Sequence, residues 1–215
     1  MARKKRKEVR QVKLHRTKPL FIAAWIVLAA ALVYSLFFRR EAIVDIFVCA
    51  AFALTIYWFS KKHNLTIASV ALLLMGVMLH MAGSLGMYAR FALPLIGYDK
   101  VTHIGSSFAL AYALFEVLPM HKRAARCAIA IIVVLGLGAT VEITEFIGTK
   151  YFGVNNGGIF TMLDGLPQIR SDLQRYDIYF DMMANLLGAC IGIGAALTRH
   201  SLARKKRTGS RSSFS

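Results

Sequence analysis

Charged residues are scarce in this chain: Asp, Glu, Lys and Arg make up only 18% of its 215 residues, whereas 57% are hydrophobic. Soluble domains are about 45–50% apolar, and the mean hydropathy of +0.53 is too high for an ordinary water-soluble fold. A disordered chain is excluded as well, because disorder requires low hydrophobicity. The composition therefore indicates an integral membrane protein.

Cysteine is also rare, with only three residues: Cys49, Cys127 and Cys190. The number is odd, and each cysteine lies in an apolar run. Small secreted scaffolds instead use an even set of cysteines to form several disulfides. The sequence thus excludes a disulfide-stapled domain.

Acidic residues are few, 11 against 27 Lys and Arg, which gives a net charge of +16. Nine of the basic residues lie within 3–18 and six within 199–211, so the charge is concentrated in two tails, 1–19 and 198–215. No aromatic residue is interleaved with these clusters to stack on bases. We therefore expect both tails to lie against anionic membrane lipids and expect no nucleic-acid partner.

Six apolar segments predict membrane-spanning helices, since about 20 apolar residues cross a hydrocarbon core of about 30 Å. The segments are 20–38, 42–59, 65–89, 101–118, 127–148 and 178–197. The predicted fold is an all-α, polytopic transmembrane helix bundle over 20–197. Small residues spaced as Gly188-x-x-x-Gly192 predict a close helix–helix contact on the sixth span.

The basic residues predict the orientation of these spans. With the amino terminus inside, 20 Lys and Arg residues fall in inside segments and seven in outside segments. An excess of Lys and Arg marks the cytoplasmic side. We therefore expect both termini in the cytoplasm, six spans, and a plasma (inner) membrane location.

Several polar side chains are predicted to meet just below the outer membrane surface. Residues three or four apart share one face of a helix, and ionisable groups at membrane depth are rare and usually functional. Three consecutive spans bring six such groups to one level: Asp99 and His103 on the fourth, Glu142 and Glu145 on the fifth, and Asp177 and Asp181 on the sixth, with Asn185 one turn deeper.

Three kinds of chemistry suit this group. An imidazole with several carboxylates is a donor set for divalent Zn, Mn, Fe or Mg. Crowded carboxyl groups can also relay protons, and a fully bonded polar network can simply hold helices together. For the first kind, the predicted metal ligands are His103, Glu142, Glu145, Asp177 and Asp181, and the predicted catalytic residues are Glu142, Glu145, His103 and Asp181.

Four further residues are predicted to support such a site. Asp99 would orient His103 from one turn away, and Lys100 would neutralise an acid or meet a lipid phosphate. Asn185 would hold the metal ligands in place by hydrogen bonds. His80, about 14 Å deeper by helical rise, would form the floor of the cavity. Packing through a hydrogen bond is the more common role of a lone helical histidine.

Two other acids within the spans are predicted to lie outside this group. Asp45, near the outer end of the second span, is expected to reach the membrane surface. Glu116, at the inner end of the fourth span, is expected to pair with Lys122 or Arg123.

Three motifs resemble a known group of membrane proteins. Asp99-Lys-Val-Thr-His103 and Asp181-Met-Met-Ala-Asn185-Leu-Leu-Gly188-Ala-Cys-Ile-Gly192 resemble motifs of the VanZ-like proteins. Glu142-Ile-Thr-Glu145-Phe146 resembles instead the Glu-x-x-Glu-aromatic motif of the YjdF-like proteins. The resemblance covers about residues 98–192. VanZ-like proteins are associated with teicoplanin resistance, so the resemblance implies an outward-facing role at the cell envelope.

The sequence thus favours a multi-pass membrane protein with an outward-facing acidic and histidine-containing cavity. One hypothesis is a metal-dependent enzyme acting on a lipid-linked or cell-envelope substrate. The alternative is a non-catalytic envelope-binding protein or a small-solute carrier, in which the polar group is structural or a proton relay. A carrier is disfavoured because, apart from Glu116, the inner halves of spans four to six lack ionisable groups.

Overall fold

The computed structural model describes residues 2–63, 65–90, 97–152 and 171–212, and every regular element in these ranges is helical. A 3₁₀ turn, Arg40–Ala42, precedes the second helix, and a π-helical segment, Gly83–Met87, follows the third. The α-helices are α1 (Ala2–Phe38), α2 (Ile43–His63), α3 (Ile67–Ala82), α4 (Tyr88–Arg90), α5 (Tyr98–Val117), α6 (Arg123–Phe152) and α7 (Ser171–Ser212). The predicted all-α fold is confirmed for the described part of the chain.

Among the described residues, five helical segments are long and apolar enough to cross a membrane, one fewer than the sequence predicts. They are Thr17–Phe38, Arg40–His63, Ile67–Met87, Arg123–Ile147 and Asp177–Ala203. The predicted span 101–118 does form a helix, α5, but it is not among the five. Its polar residues, which include His103, Ser107 and Glu116, lower its mean hydropathy, and several of them are turned toward neighbouring helices.

The helices pack in two groups, each around its own apolar core. Phe21 of α1, Cys49 of α2 and Val70 of α3 belong to the first core. Phe115 of α5, Val134 of α6 and Ile193 of α7 belong to the second core. Helices α3 and α5 are in contact and join the two groups. The polar site described below lies within the second group, between α5, α6 and α7.

Helices α5 and α7 approach closely at two glycines, as the small-residue spacing predicts. A Cβ added to Gly188 would collide with the carbonyl oxygen of Ile104, and one added to Gly192 would collide with that of Phe108. Only glycine allows α7 to lie this near the α5 backbone. The close approach places the first turn of α5 beside residues 177–181 of α7.

The end of the third predicted span departs from a regular helix. The π-helical segment Gly83–Met87 contains Gly86 with φ of +127°, a conformation that side chains with a Cβ rarely adopt. This irregular turn lets the Tyr88 side chain fold back onto α3, where its hydroxyl lies 3.0 Å from Nδ1 of His80. The predicted continuous span 65–89 is therefore interrupted near its end.

Candidate functional site

The first turn of α5 carries a lysine that is surrounded by acids. Lys100 Nζ lies 2.9 Å from Asp99 Oδ2, 2.5 Å from Asp177 Oδ1 and 2.6 Å from Asp181 Oδ1. The lysine side chain is buried. Three carboxyl groups in direct contact favour the charged ammonium form of Lys100, and the contacts with Asp177 and Asp181 join α5 to α7.

His103 lies one turn further along α5 and faces three carboxyl groups. Its Nε2 atom is 3.3 Å from Asp99 Oδ1, 3.6 Å from Glu142 Oε1 and 3.6 Å from Asp181 Oδ1. The sequence-predicted convergence of α5, α6 and α7 is thus present in the structure. We call Asp99, Lys100, His103, Glu142, Asp177 and Asp181 the acid–histidine cluster.

The other nitrogen of His103 is held by an amide. Nδ1 is 3.2 Å from Asn185 Oδ1, which also accepts a 2.7 Å hydrogen bond from Ser107 Oγ. Because this oxygen can only accept, Nδ1 carries hydrogen and Nε2 is left to face the acids. Asn185 thus holds His103 through the ring nitrogen that does not face the acids. It also packs closely against α6, because a Cβ added at Gly138 would lie only 3.1 Å from Asn185 Cγ. Such an arrangement fixes the tautomer of a metal-binding histidine.

Three members of the cluster have the geometry to hold a metal ion. One donor atom from each of Asp99, His103 and Asp181 lies within 4.8 Å of the other two. Two carboxylates and an imidazole suit Zn, Mn or Fe. Glu142 is buried next to them, and its Oε1 has no hydrogen-bond partner in the described part of the chain. Asp99, predicted as an orienting residue, is therefore placed among the donor atoms themselves.

The remaining predicted ligands lie at the edge of this arrangement. Asp177 pairs with Lys100, and its side chain is about one-third exposed, at 32%. Glu145 is partly buried one turn beyond Glu142 on α6. Neither belongs to the three-residue donor group found among the described residues. Asp177 thus contacts the lysine and is not part of the donor group.

His80 and Asp45 lie in a separate polar group. His80 bonds Tyr88, and its ring contacts no member of the donor triad through a hydrogen bond or ion pair among the described residues.

Asp45 was predicted to reach the membrane surface, and this is wrong: it is completely buried and accepts a 2.8 Å hydrogen bond from Ser84 Oγ. The π-helical turn that brings Ser84 toward Asp45 was not predicted from the sequence. The glycines near Ser84, Gly83 and Gly86, are the residues that could have indicated an irregular turn there.

Glu116 also has different partners from those predicted. Its Oε1 lies 2.5 Å from Arg199 Nη1, and its Oε2 accepts hydrogen bonds from Thr66 Oγ1, at 2.8 Å, and from Ser69 Oγ. The expected pairing with Lys122 or Arg123 is wrong, because α7 continues past its apolar part and brings Arg199 alongside α5. These contacts tie together α3, α5 and α7 at the end opposite to the acid–histidine cluster.

Comparison with known proteins gives a family but no characterised relative. Residues 20–201 match the family model described as "Predicted membrane protein (DUF2238)". None of the curated proteins matches the chain, and none of the solved structures does. The match carries neither the VanZ-like nor the YjdF-like name, so that resemblance stays a prediction. Because the match covers most of the chain, including all of the acid–histidine cluster, this protein belongs to the DUF2238 family of predicted membrane proteins.

Proposed function

We propose that this protein is a metal-dependent enzyme that acts on a lipid-linked or cell-envelope substrate at the outer face of the plasma membrane. The observation that carries the proposal is the donor triad Asp99, His103 and Asp181, with one atom of each within 4.8 Å of the others. A divalent ion there would be held by α5 and α7 together. From the sequence alone, the same acids could equally have formed a structural network that holds the helices together.

The charge of the cluster supports a bound cation. Four carboxyl groups, from Asp99, Glu142, Asp177 and Asp181, surround one ammonium group and one imidazole. Even with the imidazole protonated, four ionised acids exceed the positive charge. Uncompensated buried charge is costly, and a divalent ion would offset the excess.

Glu142 is the proposed acid–base residue. It is buried at 7% exposure, beside the donor triad but not part of it. A divalent ion held by the triad would supply an acidified water and would polarise a phosphoryl or carbonyl oxygen. Glu142, whose Oε1 lies 3.6 Å from His103 Nε2, would accept a proton beside the triad and return it to a leaving group. Lys100 would meet an anionic headgroup, because an ammonium group is a good partner for phosphate.

This proposal includes a topology. We propose that α5 crosses the membrane as a sixth span, that both termini are cytoplasmic, and that the acid–histidine cluster faces outward. The basic tails and the excess of Lys and Arg in the proposed inside segments support this orientation. Single cysteines introduced at exposed Ser201 and exposed Arg40, in a chain without its native cysteines, would test it. Only the cysteine at position 40 should react with an impermeant maleimide on intact cells.

The metal proposal is tested by metal content of the detergent-purified protein. We expect near-stoichiometric Zn, Mn or Fe in the wild type, and loss of that metal in His103→Gln and Asp181→Asn. Glu41→Gln is the matched control, because Glu41 is an acid that pairs with Arg39 outside the cluster. Metal-free wild-type protein that also fails to bind added Zn²⁺ or Mn²⁺ would overturn the proposal.

Glu142→Gln separates metal binding from catalysis. The variant should retain the metal, since Glu142 is not one of the triad, and should lose turnover by about 10²–10⁴-fold as general acid–base residues do. Turnover is measured as release of phosphate or headgroup from envelope lipids in vesicles. Equal turnover of wild type and variant would remove Glu142 from the mechanism.

A specific observation favours a second candidate, a non-catalytic role in which the cluster locks helices. Lys100 already pairs with three acids at 2.5–2.9 Å and is itself buried. In that case the wild type would hold no metal, and His103→Gln would lower the melting temperature without any change that added metal could restore. The metal measurement therefore decides between the two candidates.

A further inference from the structure

Ser107 is a buried hydroxyl residue outside the acid–histidine cluster. It lies on α5 four residues after His103, so the two side chains share one face of the helix. Ser107 is only 5% exposed, and its Oγ donates a 2.7 Å hydrogen bond to Oδ1 of Asn185, which is 3% exposed. Because an unpaired polar group in such a place is costly, this hydrogen bond holds both side chains in position.

The amide of Asn185 joins Ser107 to His103. Its Oδ1 atom accepts the hydrogen bond of Ser107 and also lies 3.2 Å from Nδ1 of His103. A carbonyl oxygen has two lone pairs, so one oxygen can accept from both groups at once. The amide oxygen is therefore directed toward the histidine, and Nε2 on the other side of the ring faces the carboxyl groups of the cluster.

The nitrogen of the same amide packs against a glycine of α6. A Cβ added to Gly138 would collide with Nδ2 of Asn185. This nitrogen is buried and has no hydrogen-bond partner in the described part of the chain, so packing alone positions it. Gly136, on the same helix, differs because a Cβ there meets no heavy atom within 4 Å. The amide is thus enclosed between the Ser107 hydroxyl and the Gly138 backbone.

We propose that Ser107 is a positioning residue that keeps Nε2 of His103 available to a divalent metal ion. Ser107 holds the amide oxygen, this oxygen holds the hydrogen on Nδ1, and the lone pair of Nε2 is then directed toward Asp99 and Asp181. Without the hydroxyl, only the histidine itself determines which way the amide faces. A turned amide would present Nδ2 to the ring and favour the tautomer whose hydrogen is on Nε2. This role rests on the proposed metal-dependent function, because it prepares one of the proposed ligands.

The Zn²⁺ affinity of the detergent-purified protein tests this role. Ser107→Ala should bind Zn²⁺ about 10–100-fold more weakly than the wild type, as is usual when a group that orients a metal ligand is removed. Gly138→Ala should also weaken binding, because the added methyl group displaces the Asn185 amide. Gly136→Ala is the matched control and should bind Zn²⁺ as the wild type does. Equal affinities for the wild type and Ser107→Ala would overturn the proposal.

Nuclear magnetic resonance of the metal-free protein, with ¹⁵N-labelled histidine, gives a second reading that requires no metal. The His103 signal is the one that is missing in His103→Gln. In the wild type, Nδ1 should carry a hydrogen that exchanges slowly with water, because it is donated to a buried oxygen whether the ring is neutral or protonated. This hydrogen should exchange about tenfold faster in Ser107→Ala, as expected for the loss of one hydrogen bond, and at the wild-type rate in Gly136→Ala.

The two measurements separate the role of Ser107 from the proposed function. Wild-type protein that binds no Zn²⁺ would count against the metal-dependent enzyme, and the exchange rate would still decide whether Ser107 holds the ring. A wild-type Nδ1 without a hydrogen, or an exchange rate that is the same in Ser107→Ala, would overturn the positioning role. That result would leave the metal site standing if Zn²⁺ binds.

Discussion

Replacing Gly188 by alanine should separate α5 from α7 and weaken the acid–histidine cluster from a distance. A Cβ at Gly188 would lie 3.0 Å from both the carbonyl carbon and the Cα of Ile104, and still closer to the carbonyl oxygen. Ordinary van der Waals contact of a Cβ begins at 3.4 Å. All three atoms belong to the backbone, so no side-chain rotation relieves the overlap.

The size of the effect follows from this geometry. To accept the methyl group, the helices must move apart by an amount on the order of 1 Å, since packed interiors leave little free space. Overpacking of this kind costs about 1–3 kcal/mol. Gly188 lies seven residues beyond Asp181 on α7, roughly 10 Å along the helix. The 2.6 Å ion pair between Lys100 and Asp181 would then lengthen beyond hydrogen-bonding range.

The assay is thermal unfolding in detergent, followed by metal affinity. Gly194→Ala is the matched control, because it lies on the same helix and a Cβ there meets no heavy atom within 4 Å. It should be neutral or slightly stabilising, since alanine favours helix over glycine by about 0.5–1 kcal/mol. Equal melting temperatures for Gly188→Ala and Gly194→Ala would refute the close approach of α5 and α7.

Three further predictions concern other contacts. Lys100→Met should destabilise the protein by about 3 kcal/mol, because removing one partner leaves buried Asp181 uncompensated. Added Mn²⁺ should restore part of the lost melting temperature, and a melting temperature equal to that of the wild type would contradict the ion pairs. A double-mutant cycle on the free energy of unfolding, with Arg199→Gln and Glu116→Gln, should give a coupling energy of only about 0.5–1 kcal/mol, because the Arg199 side chain is 46% exposed. Strictly additive losses in the two variants would argue against the ion pair. Gly86→Ala should cost about 1–3 kcal/mol of unfolding free energy, because φ is +127° there, and a melting temperature equal to that of the wild type would show that the turn is regular.

Hydropathy and helical spacing predicted much of what the structure contains. Long apolar runs specify helices that cross the membrane, because backbone groups must be bonded within each segment in lipid. Residues three or four apart share a face, so Asp99 and His103, and likewise Asp177 and Asp181, could be placed together on their helices before any coordinates were known. The glycine spacing on α7 likewise predicted close packing.

Hydropathy was less informative for α5. This helix carries Lys100, His103 and Glu116, so its polar content conceals a helix that is packed against α3, α6 and α7. Whether a polar residue makes a helix unsuitable for the membrane depends on what it faces, and the sequence of one helix does not contain that information.

Partners between distant segments were decided only by the tertiary structure. The sequence brought Asp99, His103, Glu142 and Asp181 to one level, but the order of donor atoms, with Asp99 in the triad and Glu145 outside it, depends on helix rotation and separation. Asp45 is buried because an irregular turn at Gly83–Met87 carries Ser84 toward it. Glu116 meets Arg199 because two glycines bring α7 against α5. Local periodicity determines which side chains share a helix face; contacts between helices depend on packing, and packing is a property of the whole bundle.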